Sequence, residues 1–140
     1  MSDLQSAVTL VKDGIHNPSE PRHFMRVIEC SNQVTATLDG LELANSRRAL
    51  KVKEVGFDIY DTVFYFPRED VSMAHLSKNE KSTHCPLKGD TEYFDIQTDD
   101  GQKENLAWSY DRTIGIADVI KNYIGFDTRG VQVTEYTAGS

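Results

Sequence analysis

The chain has 140 residues, with 15 Lys+Arg against 22 Asp+Glu and a formal charge of −7; this argues against nucleic acid or an anionic membrane as the main partner, since both demand a basic face. Hydrophobic residues at 39% and charged residues at 26% are the ordinary mix of one soluble domain with a single real core. No apolar stretch approaches the roughly 20 residues of a membrane span, and Met1-Ser-Asp-Leu-Gln-Ser lacks the basic segment and apolar run of a secretion signal, so the expectation is a cytoplasmic protein with Cys30 and Cys85 both reduced.

Residues 1–21 read as an arm or edge strand, with a short strand over Val8 to Lys12 and then a loop of turn formers through Pro18 and Pro21. Residues 22–136 read as one β domain, and 137–140 as a frayed tail. Gln33 to Leu38 alternates strictly, with Val34, Ala36 and Leu38 on one face. Leu50 and Val52 alternate with Lys51 and Lys53 in a second half-buried strand. Asp61-Thr-Val-Phe-Tyr-Phe-Pro67 is apolar on both faces and predicts a central strand ended by Pro67. Thr91–Thr98 and Lys103–Tyr110 flank Asp99-Asp-Gly-Gln102, a hairpin turn, and Leu106, Trp108 and Tyr110 share a face. Ile116, Val119, Ile120, Tyr123 and Ile124 recur at helical spacing, with Asp111 or Thr113 to cap the start and Gly125 to stop the end. A last strand runs from Val131 to Tyr136. The fold class expected is mainly β, with seven or so strands and one C-terminal amphipathic helix.

Three clusters carry chemistry. Ser82-Thr-His-Cys-Pro-Leu-Lys-Gly-Asp90 predicts a defined loop, because Pro86 biases Cys85 toward extended geometry and Gly89 permits a turn. It presents a thiol, an imidazole and an amine together, and Lys88 is placed to activate Cys85. The competing reading packs Cys85 as a small hydrophobe and points Lys88 at water. Tyr65-Phe-Pro-Arg-Glu-Asp-Val71 places a forked cation, Arg68, and two acids where a strand leaves the core, ready to clamp a carboxylate or phosphate. Its competing reading pairs Arg68 with a neighbouring acid to fix the strand exit. The aromatics Tyr60, Tyr65, Tyr93, Phe94, Trp108 and Tyr110 either wall a pocket or form the core.

Other motifs are missing. The histidines and cysteines lack the paired spacing of a structural zinc, so no metal and no cofactor is expected. Neither phosphate-loop glycine pattern occurs, nor Gly-x-Ser-x-Gly. Asp90 and Glu92 share a strand face and suit magnesium, a spacing common by chance.

In order along the chain, Arg26-Val27, Ala44-Asn-Ser46, Ala49-Leu50, Tyr65-Phe-Pro-Arg-Glu-Asp-Val71, Thr83-His-Cys-Pro-Leu-Lys-Gly89, Asn105 and Ala107-Trp-Ser-Tyr110 resemble the domain of unknown function 427 family, over residues 22–136. The resemblance implies a compact β domain of the Mss4-like or β-tent kind. Relatives of that architecture include methionine sulfoxide reductases and domains that hold small molecules between two sheets. Many carry a zinc on paired cysteines, which this chain lacks. The resemblance supplies no established activity. The family is sometimes labelled nucleotidyltransferase-like, but Gly-Ser followed by a spaced acid pair is absent here. Leu87 stands where a bulky aromatic often follows Cys-Pro, and Asp111 where a proline usually follows Trp-Ser-Tyr. The positions that match the family's motifs are Arg68, Glu69, Cys85, Lys88, Trp108 and Tyr110.

Three functions follow from these residues. The first is a binding module: Tyr93, Trp108 and Tyr110 wall a pocket for a small anionic metabolite, with Arg68, neighboured by Glu69, and Lys88 supplying charge. The second is an enzyme with Cys85 as nucleophile or redox thiol, activated by Lys88 or His84. The third is a structural or interaction domain without chemistry. All three turn on whether Arg68, Cys85, Lys88 and Trp108 converge.

Overall fold

A computed structural model describes residues 10–137. It is mainly β, built from twelve strands: β1 (Ile15–Asn17), β2 (Glu20–Glu29), β3 (Gln33–Leu38), β4 (Leu41–Ser46), β5 (Leu50–Val55), β6 (Val63–Tyr65), β7 (Leu76–Lys78), β8 (His84–Cys85), β9 (Gly89–Thr98), β10 (Gly101–Thr113), β11 (Ile124–Phe126) and β12 (Gln132–Tyr136). They form three antiparallel sheets, ordered β1-β2-β5-β6, β11-β10-β9-β7 with β8 beside β9, and β12-β3-β4.

The long β9–β10 ribbon stands in the middle, and strand alternation divides its side chains between two cores. Phe94, Ile96 and Ala107 face Val34, Ala36, Leu38 and Leu43 of the third sheet in a sealed apolar cluster. Trp108 and Tyr110 point the other way, toward Met25, Leu50 and Val52 of the first sheet. The first core closes. The second remains partly open.

Phe66 joins the layers. It follows β6, bridges to Ile124 of β11, and packs fully buried against Phe126 with ring centroids 5.7 Å apart. The doubly apolar Asp61–Pro67 run therefore lies at the end of the four-stranded sheet's order, not at its centre. Its second apolar face is covered by the neighbouring sheet through this bridge.

The predicted C-terminal amphipathic helix does not form. Gly115–Ile120 is a 310 helix, and Ile124–Phe126 is a strand. At three residues per turn, Ala117 and Ile120 share the buried side, while Ile116 and Val119 turn outward and are exposed. The spacing of three within the apolar pattern fits the tighter helix as well as the α-helix. Neither Asp111 nor Thr113 caps this helix; Ile114 holds the capping position. The left-handed residue is Asn122 at φ 68°, not Gly125.

At the other end, residues 8 and 9 of the expected Val8–Lys12 strand lie outside the described residues, and Leu10–Lys12 is not strand. The edge strand of the first sheet is β1, whose His16 and Asn17 immediately precede Pro18. Pro21 sits in the second position of β2, where a missing N–H costs little.

Candidate functional site

The turn Cys85–Gly89 is held from several directions. β8 pairs His84 with Asp90 and Cys85 with Gly89, so Pro86, Leu87 and Lys88 form a tight loop at the start of β9. Leu87 is fully buried in the second core and pulls the loop inward. Gly89 adopts φ +120°, and a Cβ there would meet the Arg112 carbonyl oxygen at 2.3 Å, so only glycine fits. The Thr91 hydroxyl receives the Thr83 N–H at 2.8 Å, and Ser82 Oγ donates to the Thr91 carbonyl at 2.7 Å. The thiol and the ammonium are thus presented by a fixed turn.

That turn borders a broad, half-open cleft of about 1310 Å³. Of the residues singled out from the sequence, Cys85, Lys88, Tyr93, Trp108 and Tyr110 line it, together with Tyr60, Tyr65 and His84. Tyr93 and Trp108 are cross-strand partners with ring centroids 6.3 Å apart. Trp108 Nε1 donates to the Tyr65 hydroxyl at 3.2 Å. Behind the indole lies Gly125, where a Cβ would come within 2.9 Å of the ring. Burial pushes the phenols of Tyr65 and Tyr110 far above their ordinary value, so both stay neutral hydroxyls.

Arg68 and Glu69 do not join them. Arg68 Nε donates to the Asn122 carbonyl at 2.7 Å, its NH2 meets Glu92 Oε2 at 2.6 Å, and its guanidinium stacks over Phe94. The guanidinium fixes the strand exit. Glu69 is exposed and pairs with Arg48 at 3.2 Å, while Asp70 accepts from Ser46 Oγ at 2.7 Å and from Arg48. Leu87 does not line the cleft either, so this departure from the family pattern bears on core packing and not on the cleft wall.

Two residues that sequence reasoning passed over complete the floor. Lys88 Nζ makes a close ion pair with Glu54 Oε1, and His23 Nε2 donates to Glu54 Oε2 at 2.8 Å. The Lys88 side chain is only 7% exposed and lies 5.5 Å from the Tyr110 ring centroid. Burial alone would raise the Glu54 carboxyl. The Lys88 ammonium and the His23 hydrogen bond outweigh it and hold that carboxyl below its ordinary value. A signal for Glu54 was present: in Leu50-Lys-Val-Lys-Glu54 it continues the inward register of Leu50 and Val52, a charge on an apolar face. His23 likewise shares the register of Met25 on β2, a strand the sequence reading did not predict.

These contacts change the chemistry expected of the loop. Lys88 is engaged by Glu54, and His84 by Asp90 at 2.7 Å on the exposed rim, so neither proposed activator of Cys85 is free. The imidazole near the thiol is His23: donor atoms of His23, Glu54 and Cys85 all lie within 4.8 Å of one another. The rim is apolar and exposed at the β5–β6 loop, where Phe57, Ile59 and Tyr60 face solvent and Phe57 and Tyr60 border the cleft.

A family model described as domain of unknown function (DUF427) matches residues 26–137. The chain belongs to that family. No curated protein matches the sequence. In this DUF427 domain the matched region holds every strand from β3 to β12, whereas His23 lies just before it. No helix among the described residues is long and apolar enough to cross a membrane.

Proposed function

We propose that this domain is a small-molecule receptor whose ligand is a flat, polar, heteroaromatic compound held in the cleft. The supporting observation is the make-up of that cleft: tryptophan and tyrosine rings on one wall, and a nearly solvent-excluded Lys88–Glu54–His23 chain on the floor. Apolar walls with a few convergent polar groups are the usual chemistry of a ligand pocket. A buried ion pair adds little to stability compared with apolar packing of the same volume, so its position at the base of a cleft favours a recognition role.

The anionic ligand expected from Arg68 and Lys88 loses its support, since both cations are already paired. The floor instead offers a balanced donor–acceptor edge, with Lys88 and His23 around one carboxylate, and the Tyr110 hydroxyl makes no hydrogen bond among the described residues. A ring with adjacent donors and acceptors matches it. On this proposal the two sheets flanking the cleft are the walls of a β-tent.

Trp108 is the chain's one tryptophan, so its fluorescence reports the site directly. A panel of nucleobases, nucleosides, pterins and indoles is titrated into the domain. The expected result is quenching by at least one class, with a dissociation constant of about micromolar order, roughly −8 kcal/mol, and loss of that response in Tyr93→Ala and Lys88→Met proteins that remain folded. Fluorescence and melting temperature unmoved across the whole panel would sink the reading.

A further inference from the structure

The geometry points to a site for a thiophilic divalent cation of the zinc class, held by His23, Glu54 and Cys85 with its remaining position open to the cleft. It shares His23 and Glu54 with the floor of the proposed ligand cleft but does not depend on an organic ligand, and it survives that reading's failure. The three donors come from three places in the chain: His23 from β2, Glu54 from β5 and Cys85 from β8. No local spacing pattern discloses them, which is why the absence of paired cysteines and histidines in the sequence does not bear on this site.

Thiolate, imidazole and carboxylate are the donor set zinc favours, and three protein ligands with one open position is its arrangement in sites that bind exchangeable molecules. With metal–donor distances of about 2.0–2.3 Å, tetrahedral geometry separates the donors by about 3.3–3.6 Å. His23 and Glu54 already stand 2.8 Å apart, and the whole set lies within 4.8 Å. Closing the set takes side-chain movement of about 1 Å, within rotamer adjustment at a half-open cleft.

The ion pair with Lys88 is compatible with this role. Lys88 holds Glu54 through Oε1, while the oxygen toward His23 is Oε2. A ligating carboxylate is ordinarily anchored through its other oxygen by a hydrogen-bond donor, which orients it and limits its charge. Lys88 is that anchor. On metal entry the His23–Glu54 hydrogen bond breaks, the imidazole proton passes through solvent from Nε2 to Nδ1 so that Nε2 and the Glu54 carboxylate turn lone pairs to the cation, and the Cys85 proton leaves to solvent.

The test uses the full chain, stripped with a chelator and titrated with Co(II), then with Zn(II). The expected result is one Co(II) per chain with a thiolate-to-cobalt charge-transfer band, displaced by Zn(II). Cys85→Ser and His23→Ala should each abolish the band, and Lys88→Met should weaken binding by about 10–100-fold, as loss of an outer anchor does. Cys30→Ser should keep it, because Cys30 lies in the other core. In the unmodified chain, Zn(II) should also slow alkylation of Cys85 while leaving that of Cys30 unchanged, a readout that requires no variant to fold. A band that persists in Cys85→Ser, a band lost in Cys30→Ser, or no Zn(II) protection of Cys85 would each overturn the assignment.

Discussion

The strings Tyr65–Val71 and Thr83–Gly89 look alike as sequence, each joining a proline, a cation and a turn at a strand end, yet they do different work. In the first, the cation is absorbed by the framework: Arg68 clamps Glu92 and the Asn122 carbonyl, and Asp70 ties Ser46 to Arg48. In the second, Leu87 takes the place in the core and Lys88 meets its acid at the floor of the cleft. The difference lies in where the partner acid stands. Glu92 lines no part of the cleft, whereas Glu54 borders it. A cation at a strand exit recognises ligands only if the topology leaves its partner facing an opening.

The largest effect that would break this contrast is at Gly89. Gly89→Ala places a Cβ against the Arg112 carbonyl at a backbone angle that side chains resist. Strain and overpacking together predict a loss of roughly 3–5 kcal/mol, read as a lower urea midpoint. Near-wild-type stability would mean the loop is loose, and the fixed presentation of Cys85 and Lys88 would go with it.

The next comparison sets the two cations against each other. Lys88→Met leaves Glu54 with only His23, and a loss of roughly 2–3 kcal/mol is expected, below the roughly 3–5 typical of a sealed pair because Glu54 borders the cleft. Arg68→Met should cost less, about 1–2 kcal/mol, since Arg68 is one-third exposed and Lys78 stays near Glu92. A Lys88→Met/Glu54→Leu double variant should recover most of the first loss, because no unpaired charge remains. If Arg68→Met proves the more damaging, the Lys88–Glu54 pair is better reached by water than its burial implies.

Much of the fold was legible because strand alternation is local. Gln33–Leu38, the β9–β10 hairpin and the final strand follow from period-two patterns and one glycine turn. The helix was misread because Ala117, Ile120 and Tyr123 fit a period of three as readily as Ile116, Ile120 and Tyr123 fit 3.6, and the strand pairing of Ile124 with Ser109 decides the matter from far along the chain. The cleft divides the same way. Trp108 and Tyr110 were visible as one face of one strand, but Arg68's engagement depends on Glu92, 24 residues away, and Lys88's on Glu54, 34 residues away. Sheet order sets those distances, and periodicity does not encode it.

Acid sensitivity sharpens the comparison further. Glu54 beside the second string and Asp70 within the first both have carboxyls held below their ordinary values, Glu54 by Lys88 and His23 against burial, Asp70 by the Ser46 hydroxyl and Arg48. A depressed folded pKa contributes stability that is complete above the unfolded value and is lost as pH falls through the folded one. Stability should therefore drop below about pH 4.5 for Glu54 and below about pH 3.8 for Asp70, counted from their ordinary values. Glu54→Gln and Asp70→Asn should each flatten their part of the urea-midpoint profile. Salt should shrink the Asp70 contribution more, because the Arg48 side chain is 60% exposed and that of Lys88 only 7%.

The smallest expected effect on stability discriminates best between the two regions as functional surfaces. Phe57 on the β5–β6 loop and Glu69 after Pro67 are both exposed, and neither belongs to a core cluster. Phe57→Ala and Glu69→Ala should each leave the urea midpoint within about 0.5 kcal/mol of wild type, as surface changes do. They should part in ligand binding. Phe57 borders the cleft, and an aromatic side chain that folds over a bound ring contributes about 0.5–1.5 kcal/mol, so its loss should weaken Trp108 quenching about 2–10-fold. Glu69 faces Arg48 away from the cleft and should leave the quenching curve in place. Equal quenching in both variants would mean that the exposed loop takes no part in recognition and that the ligand is gripped by the rings and the floor alone.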